Sequence, residues 1–214
     1  MFEKCVWFCI EGGDGTGKTT QVMELKKRLE DCGERVYHSH VFDTKLGKEL
    51  KALFLNNELT NLEEILLLFI TREEYIKEIQ NIACEYDVII TDRWLLSIRA
   101  MQGLEKSNLS LIYELEQKIE RFGKPDLTFI LDVNENICRN RMSVRNQALD
   151  RIESKDLQFH KEVRCNFLRY GDVQTNTYIL DGSKEKDSIG KDIYDISISF
   201  INELRRKKDG CDNF

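Results

Sequence analysis

The chain has 214 residues, roughly the size of one ordinary domain, and its 32 Lys+Arg against 38 Asp+Glu leave a formal charge of −6. That balance is poor footing for a nucleic-acid partner, and 33% charged with 41% apolar residues describes a folded globular chain, not a disordered one. The longest uninterrupted apolar run, residues 65–70, falls far short of the ~20 residues that cross a bilayer, so no membrane partner is expected.

The first ten residues lack the basic start, long apolar stretch and small-residue cleavage site of a secretory signal, and residues 4–10 read instead as a first strand ending at a Gly-rich turn. A helix is expected over 19–32, with Val22, Leu25 and Leu29 inward and Gly33 as its stop. Residues 35–40 suit a short strand, and 44–55 a helix with Leu46, Leu50, Leu53 and Phe54 inward. Thr60 followed by Glu63 is the reciprocal capping pattern that opens a long helix over 60–84, with an apolar stripe through Leu62, Leu66, Phe69, Ile76 and Ile79. Val88, Ile89 and Ile90 make 87–91 a buried strand. A helix over 107–122 precedes Gly123 and Pro125, the only proline, and then a strand over 127–133. The basic, polar stretch 134–149 follows, then a helix over 156–170, a strand over 177–180 and an amphipathic helix over 186–206. Seven scattered cysteines without a Cys-x-x-Cys pair are small buried hydrophobes of a reducing cytoplasm, with no chemistry assigned.

Short apolar runs alternating with helices imply an α/β fold, a parallel sheet covered on both faces, because parallel strands need crossover connections. With no repeat, linker or low-complexity segment, residues 1–214 are read as a single domain. Ligands of such sheets sit at the carboxyl ends of the strands, here just after Ile10, Thr91 and Val133.

The first of these ends reads Glu11-Gly12-Gly13-Asp14-Gly15-Thr16-Gly17-Lys18-Thr19-Thr20, and residues 12–19 fit the Walker A pattern. The glycines let the backbone fold into a nest of N–H donors, and the following helix turns its positive end to the phosphates. Lys18 then reaches the β- and γ-phosphates of a nucleoside triphosphate and Thr19 offers a hydroxyl to Mg²⁺. Asp92, at the end of the third strand, is the matching Mg²⁺ carboxylate, and the adjacent Arg93 suits a second phosphate group. Arg72, among apolar helical neighbours, either snorkels to solvent or faces a polar ligand; taken alone, snorkelling is favoured. Arg139, Arg141, Arg145 and Arg151 suit a lid that closes on transferring phosphate. His38 and His40 share a strand face but have no third ligand, and read as a polar strand end.

At this point the sequence resembles the thymidylate (dTMP) kinases over nearly its whole length. The resemblance rests on residues 11–21, on Asp92-Arg93 with Ser97 and Ala100, on Lys124-Pro125-Asp126-Leu127-Thr128 leading to Leu131-Asp132-Val133, and on Arg141, Arg145 and Asp150-Arg151-Ile152-Glu153. It implies a P-loop fold with a five-stranded parallel sheet, a homodimer, a short lid at about 134–151, and transfer of the γ-phosphoryl of ATP to dTMP with Mg²⁺. Residues 13–20 and Arg141 then hold ATP, Asp14 meets the 3′-hydroxyl of the acceptor sugar, Arg93 its phosphate and Arg72 the O4 side of its base. Since Gly15 stands where some members place a P-loop arginine, the lid supplies the catalytic cation, with Arg145 and Arg151 as candidates beside Lys18 and Arg93. Departures gather on the acceptor side, where Leu68, Ile98 and Met101 replace the usual phenylalanine, polar reader and tyrosine, and His38-Ser39-His40 replaces an arginine-bearing segment. Two further readings follow from them: a kinase for a different or modified nucleoside monophosphate, and an ATP-binding module without transfer activity.

Overall fold

The computed structural model describes residues 5–145 and 148–211; Lys4 of the first expected strand and residues 146–147 of the expected lid lie outside them. Strands β1 (Val6–Glu11), β2 (Val36–His40), β3 (Val88–Asp92), β4 (Leu127–Asp132) and β5 (Thr177–Asp181) form one sheet in the order β2-β3-β1-β4-β5. Every pairing is parallel, as the helical crossovers require. The crossovers are α1 (Lys18–Asp31), α2 (Lys45–Asn56), α3 (Asn61–Ile82), α4 (Leu95–Met101), α5 (Leu109–Glu120), α6 (Glu135–Val144) and α7 (Leu157–Asp172), and α8 (Lys186–Cys211) closes the chain.

Alternation along β1 divides the core between the two faces. Phe8 and Ile10 pack with Val22, Leu25 and Leu29 of α1 and Ile189 and Ile193 of α8. Trp7 and Cys9 point the other way, into a cluster with Ile65, Leu68, Tyr75 and Ile79 of α3 and Ile98 of α4. A buried hydrogen-bond chain crosses this second layer: Trp7 Nε1 donates to Thr91 Oγ1 at 2.6 Å, and the Tyr75 hydroxyl lies 3.0 Å from Thr91 Oγ1 and 2.8 Å from Ser39 Oγ. It ties β1, β3 and β2 to α3.

Several expectations need correction. The stretch after β3 is a helix, α4, that was not expected; its N-terminus is capped from another strand, with the Glu11 carboxylate accepting from Trp94 N at 2.7 Å and Ser97 N at 3.2 Å. The capping box at Thr60 and Glu63 is present, but the buried stripe of α3 runs through Ile65, Leu68, Phe69, Arg72, Ile76 and Ile79, leaving Leu62 and Leu66 exposed. The helix has more apolar positions than its one buried face holds, so spacing alone did not select the inward set. Leu46 and Leu53 of α2 are likewise exposed, and Phe54 is buried. Most of the described part of the expected lid is a regular helix, α6, opened by Asn134, whose side chain accepts from Asn136 N at 3.0 Å.

Candidate active site

β1, β3 and β4 end at the same edge of the sheet, and the loop after β1 wraps the start of α1. Glycine is required here. Gly12, at φ 140°, has the Leu131 carbonyl oxygen 2.8 Å from where a Cβ would stand. Gly15, at φ 77°, has the Cys138 carbonyl oxygen 2.6 Å away, so a side chain at this position would collide with the backbone of α6. An arginine is therefore sterically excluded at residue 15 while α6 sits where it does.

Lys18 Nζ donates to the Gly13 carbonyl at 2.7 Å, and Thr16 Oγ1 donates to the same oxygen at 2.9 Å. Burial, with Arg93 next, pushes the Lys18 ammonium down to about 8. Thr19 Oγ1 donates to Asp92 Oδ2 at 2.7 Å, whereas Asp92 Oδ1 is buried and has no hydrogen-bond partner. Arg93, in the left-handed region at φ 70°, swings its guanidinium back over the loop. Its Nη1 donates to the Gly12 carbonyl at 2.9 Å and to Ser97 Oγ at 3.1 Å, and its Nη2 pairs with Asp14. Burial favours the protonated form of Asp14, but Arg93 and then Lys18 outweigh it, and the carboxyl lies below its ordinary range. Ser97 is not free: its hydroxyl donates to Glu11 Oε2 at 2.5 Å, so Glu11 both caps α4 and holds the serine beneath Arg93.

One cavity of about 620 Å³ collects most of the residues singled out from the sequence. At the end formed by the Gly-rich loop stand Asp14, Gly15, Gly17, Lys18, Thr19 and Thr20, with Asp92 and Arg93 beside them. Leu68, Arg72, Ser97, Ile98 and Met101 line the other end, and Arg141 and Arg145 border it from the lid. Gly13 and Thr16 line a smaller hollow behind the loop instead. Arg141 is fastened to the Gly182 carbonyl by Nη1 and Nη2, both at 3.1 Å, while Arg145, half exposed, pairs with Glu153 at 3.1 Å. Arg151 does not line the cavity. Its Nη1 lies 2.7 Å from Glu64 Oε1, and its Nε and Nη2 donate to the Phe54 carbonyl at 3.1 and 2.9 Å.

Arg72 does not snorkel. It is 2% exposed, donating from Nη1 to Thr71 Oγ1 at 3.0 Å and from Nη2 to the Trp94 carbonyl at 3.2 Å, with its Cζ 6.0 Å from the centre of the Phe42 ring. Burial lowers its pKa to about 10, which leaves it charged at neutral pH. Its Nε is buried without a partner. A buried guanidinium N–H left open beside a cavity is a donor waiting for an acceptor.

Gln102 was missed from the sequence. It is 3% exposed, lines the cavity, donates from Nε2 to Glu64 Oε2 at 3.1 Å, and leaves Oε1 buried without a partner. His40, Lys51, Phe42 and Phe54 also line this end. His40 Nδ1 accepts from Phe42 N at 3.2 Å, and burial, reinforced by Arg93, Arg72 and Lys51 against the pull of Asp92, lowers the ring to about 4. The imidazole is thus neutral at pH 7, with its proton on Nε2. No pattern in the sequence marks Gln102, which packing recruits, whereas His40 belongs to the segment that stands in place of an arginine-bearing one.

Residues 10–193 match the family model described as thymidylate kinase. The chain belongs to the thymidylate kinase family. Its curated relatives include the thymidylate kinase of Prochlorococcus marinus strain AS9601, 34% identical over 198 residues that span 86% of this chain and 91% of the relative. That of strain MIT 9312 is 38% identical over 172 residues, 74% and 79% of the two chains. That of Deinococcus radiodurans is 29% identical over 195 residues, 88% and 94% of the two chains. Within this thymidylate kinase-family chain, the match begins at Ile10, immediately before the Gly-rich loop, and runs through the end of β5 into α8.

Proposed function

We propose that this member of the thymidylate kinase family transfers the γ-phosphoryl group of ATP to dTMP, giving dTDP and ADP, with the whole chain working as one nucleoside monophosphate kinase domain. The observation that carries the reading is that Lys18 and Arg93 line one cavity together with Arg72 and Gln102, each of which keeps a buried side-chain atom without a partner, of opposite sense, Arg72 Nε–H and Gln102 Oε1. Thymine presents an O4 acceptor beside an N3–H donor, the complement of that pair, whereas cytosine presents an N4 donor beside an N3 acceptor. Leu68, Ile98 and Met101 are assigned as apolar walls of the base pocket, and Phe42 and Phe54 line the same cavity.

Chemistry follows from placement and charge. Phosphoryl transfer between two polyanions is limited by alignment and charge stabilisation, and the acceptor phosphate is already anionic, so no general base is required. Residues 13–20 cradle the triphosphate of ATP, Lys18 moves from the Gly13 carbonyl to the β- and γ-phosphates, and Arg141 lies near the adenine. Arg93 grips the acceptor phosphate and Asp14, already beside it, accepts from the 3′-hydroxyl of the sugar. Thr19 and Asp92 would hold Mg²⁺: the hydroxyl and carboxylate already touch, and the open Asp92 Oδ1 is the donor that a hard cation prefers. When bound, Mg²⁺ neutralises charge on the β- and γ-phosphates. Of the two lid cations, Arg145 is the one bordering the cavity, itself half exposed and held by a single carboxylate, Glu153, and is assigned to the transferring phosphoryl. Arg151, committed to Glu64 and Phe54, is assigned to holding the lid over the acceptor end.

A homodimer through α3 is part of this proposal; Leu62, Leu66 and Ile70, at a spacing of four, are each 46–51% exposed along one line of that helix. So is a cytoplasmic location, in keeping with free cysteines and with the absence, among the described residues, of a helix long and apolar enough to cross a membrane. The test is a panel of nucleoside monophosphates assayed with Mg-ATP. Strong turnover of dTMP is expected; negligible dTMP turnover beside strong use of another acceptor overturns the acceptor assignment, and tight ATP binding with no transfer overturns the enzymatic one.

A further inference from the structure

The Gln102 side chain is asymmetric in a way the cavity alone does not impose. A glutamine amide can turn over, exchanging its donor and acceptor ends at almost no cost in shape. Here one end meets a carboxylate: Gln102 Nε2 lies 3.1 Å from Glu64 Oε2, and a carboxylate only accepts. Glu64 is itself held at its other oxygen, 2.7 Å from Arg151 Nη1, and is only 7% exposed. A relay therefore runs from Arg151, at the end of the expected lid, through Glu64 on α3, to the amide of Gln102, a residue that lines the acceptor cavity. We infer that Glu64 is a specificity-determining positioning residue, which locks Gln102 with its carbonyl toward the base and so selects pyrimidines carrying N3–H over those carrying an N3 lone pair.

The inference rests on the reading of Gln102 as a base-facing group, and adds to it the reason why that amide is one-handed. Burial makes the lock effective, since neither water nor an exposed side chain competes for the amide. It also states what a change at position 64 does. In Glu64→Gln, Arg151 can only donate, so the introduced amide turns its carbonyl to Arg151 and its NH₂ to Gln102. Gln102 must then turn over to accept from it, and presents NH₂ to the base. Thymine N3–H now meets a donor, and cytosine N3 meets one that suits it.

The experiment compares kcat/KM for dTMP and dCMP, with Mg-ATP, in the unaltered enzyme and in Glu64→Gln, Gln102→Leu and the double variant. The expected result is a fall in the dTMP:dCMP ratio of about tenfold or more in Glu64→Gln, an unchanged KM for ATP, and no further fall when Glu64→Gln is added to Gln102→Leu. If Gln102→Leu loses discrimination while Glu64→Gln keeps it, the role of Glu64 is overturned and the base-reading role of Gln102 stands. If Gln102→Leu itself keeps full discrimination, both are overturned. Equal losses on the two substrates in Glu64→Gln mark a merely structural residue and also overturn the inference. Should Glu64→Gln fail to fold, a crystal structure of the unaltered protein with dTMP decides: an amide bridging Glu64 and N3 supports the inference, and one detached from either overturns it.

Discussion

The donor end of the cavity is built chiefly from one stretch of chain, within residues 14–20 at the start of α1, joined by Asp92 at the end of β3, whereas the acceptor end takes side chains from β2, α2, α3, α4, the turn at 102–104 and the segment 150–153. The first binds through backbone N–H groups and a lysine, so any sequence that keeps its glycines and spacing keeps its chemistry. The second is lined by side chains whose positions depend on how six separate parts of the chain pack. The difference teaches where, on the proposed function, this protein should tolerate change: substitutions on the acceptor side are expected to retune the reading of one substrate, and substitutions in the loop to strike the reaction itself.

The sharpest way to break the comparison is Lys18→Met, which removes the donor-side charge and leaves the acceptor end in place. We expect kcat to fall by about 10³-fold with dTMP affinity, measured by calorimetry, close to that of the unaltered protein. Arg72→Met is the mirror experiment. Arg72 makes no direct ion pair among the described residues, and the buried Glu11 carboxylate that it faces electrostatically keeps its own hydrogen bonds to Trp94 N, Ser97 N and Ser97 Oγ, so the protein should still fold. KM for dTMP should rise by about 10²-fold with KM for ATP unchanged; a rise shared by both substrates would show that the two ends are not separable.

Smaller in effect is Gly15→Ala. The residue adopts φ 77° and faces the Cys138 carbonyl, so a methyl group is opposed by both backbone conformation and backbone contact. Loss of about 2 kcal/mol of stability is expected in urea unfolding, together with weaker ATP binding as α6 is pushed off the loop. The smallest effect lies at the opposite edge of the sheet, where Arg35 and Asp87 join β2 to β3 far from either substrate. Hydrogen bonding to Arg35 holds the Asp87 carboxyl below its ordinary value. A depressed carboxyl contributes stability that is present above its unfolded pKa and lost as pH falls through the folded one. Arg35→Ala should therefore flatten part of the acid-side slope in a thermal-denaturation series below about pH 4, and leave kcat and both KM values untouched.

Much of the architecture is legible before folding because its signals are local. The Gly-rich loop carries its own turn and helix start, Val88-Ile89-Ile90 can only be a buried strand, and Thr60 with Glu63 declares the start of α3 three residues at a time. Where the signal spans distant parts of the chain, the reading from residues stops. Helix α4 escaped notice because its cap is Glu11, on another strand. Arg72 taken alone reads as a snorkelling surface arginine, and only the Trp94 carbonyl and the Phe42 ring explain its burial. Arg151 looks like a lid cation until Glu64 is placed beside it. Gln102 carries no motif at all.

What the sequence determined by itself is the class of chemistry: a phosphate-binding loop, a parallel sheet to present it, and basic residues for a charged transition state, all encoded in contacts between near neighbours along the chain. What only the tertiary structure decided is which of those basic residues line the shared cavity and which buried polar groups beside it are left without a partner. The reason is physical. A backbone nest is defined by the dihedral preferences of consecutive residues, but a pocket wall is defined by side chains tens of residues apart that touch only after the core between them has packed.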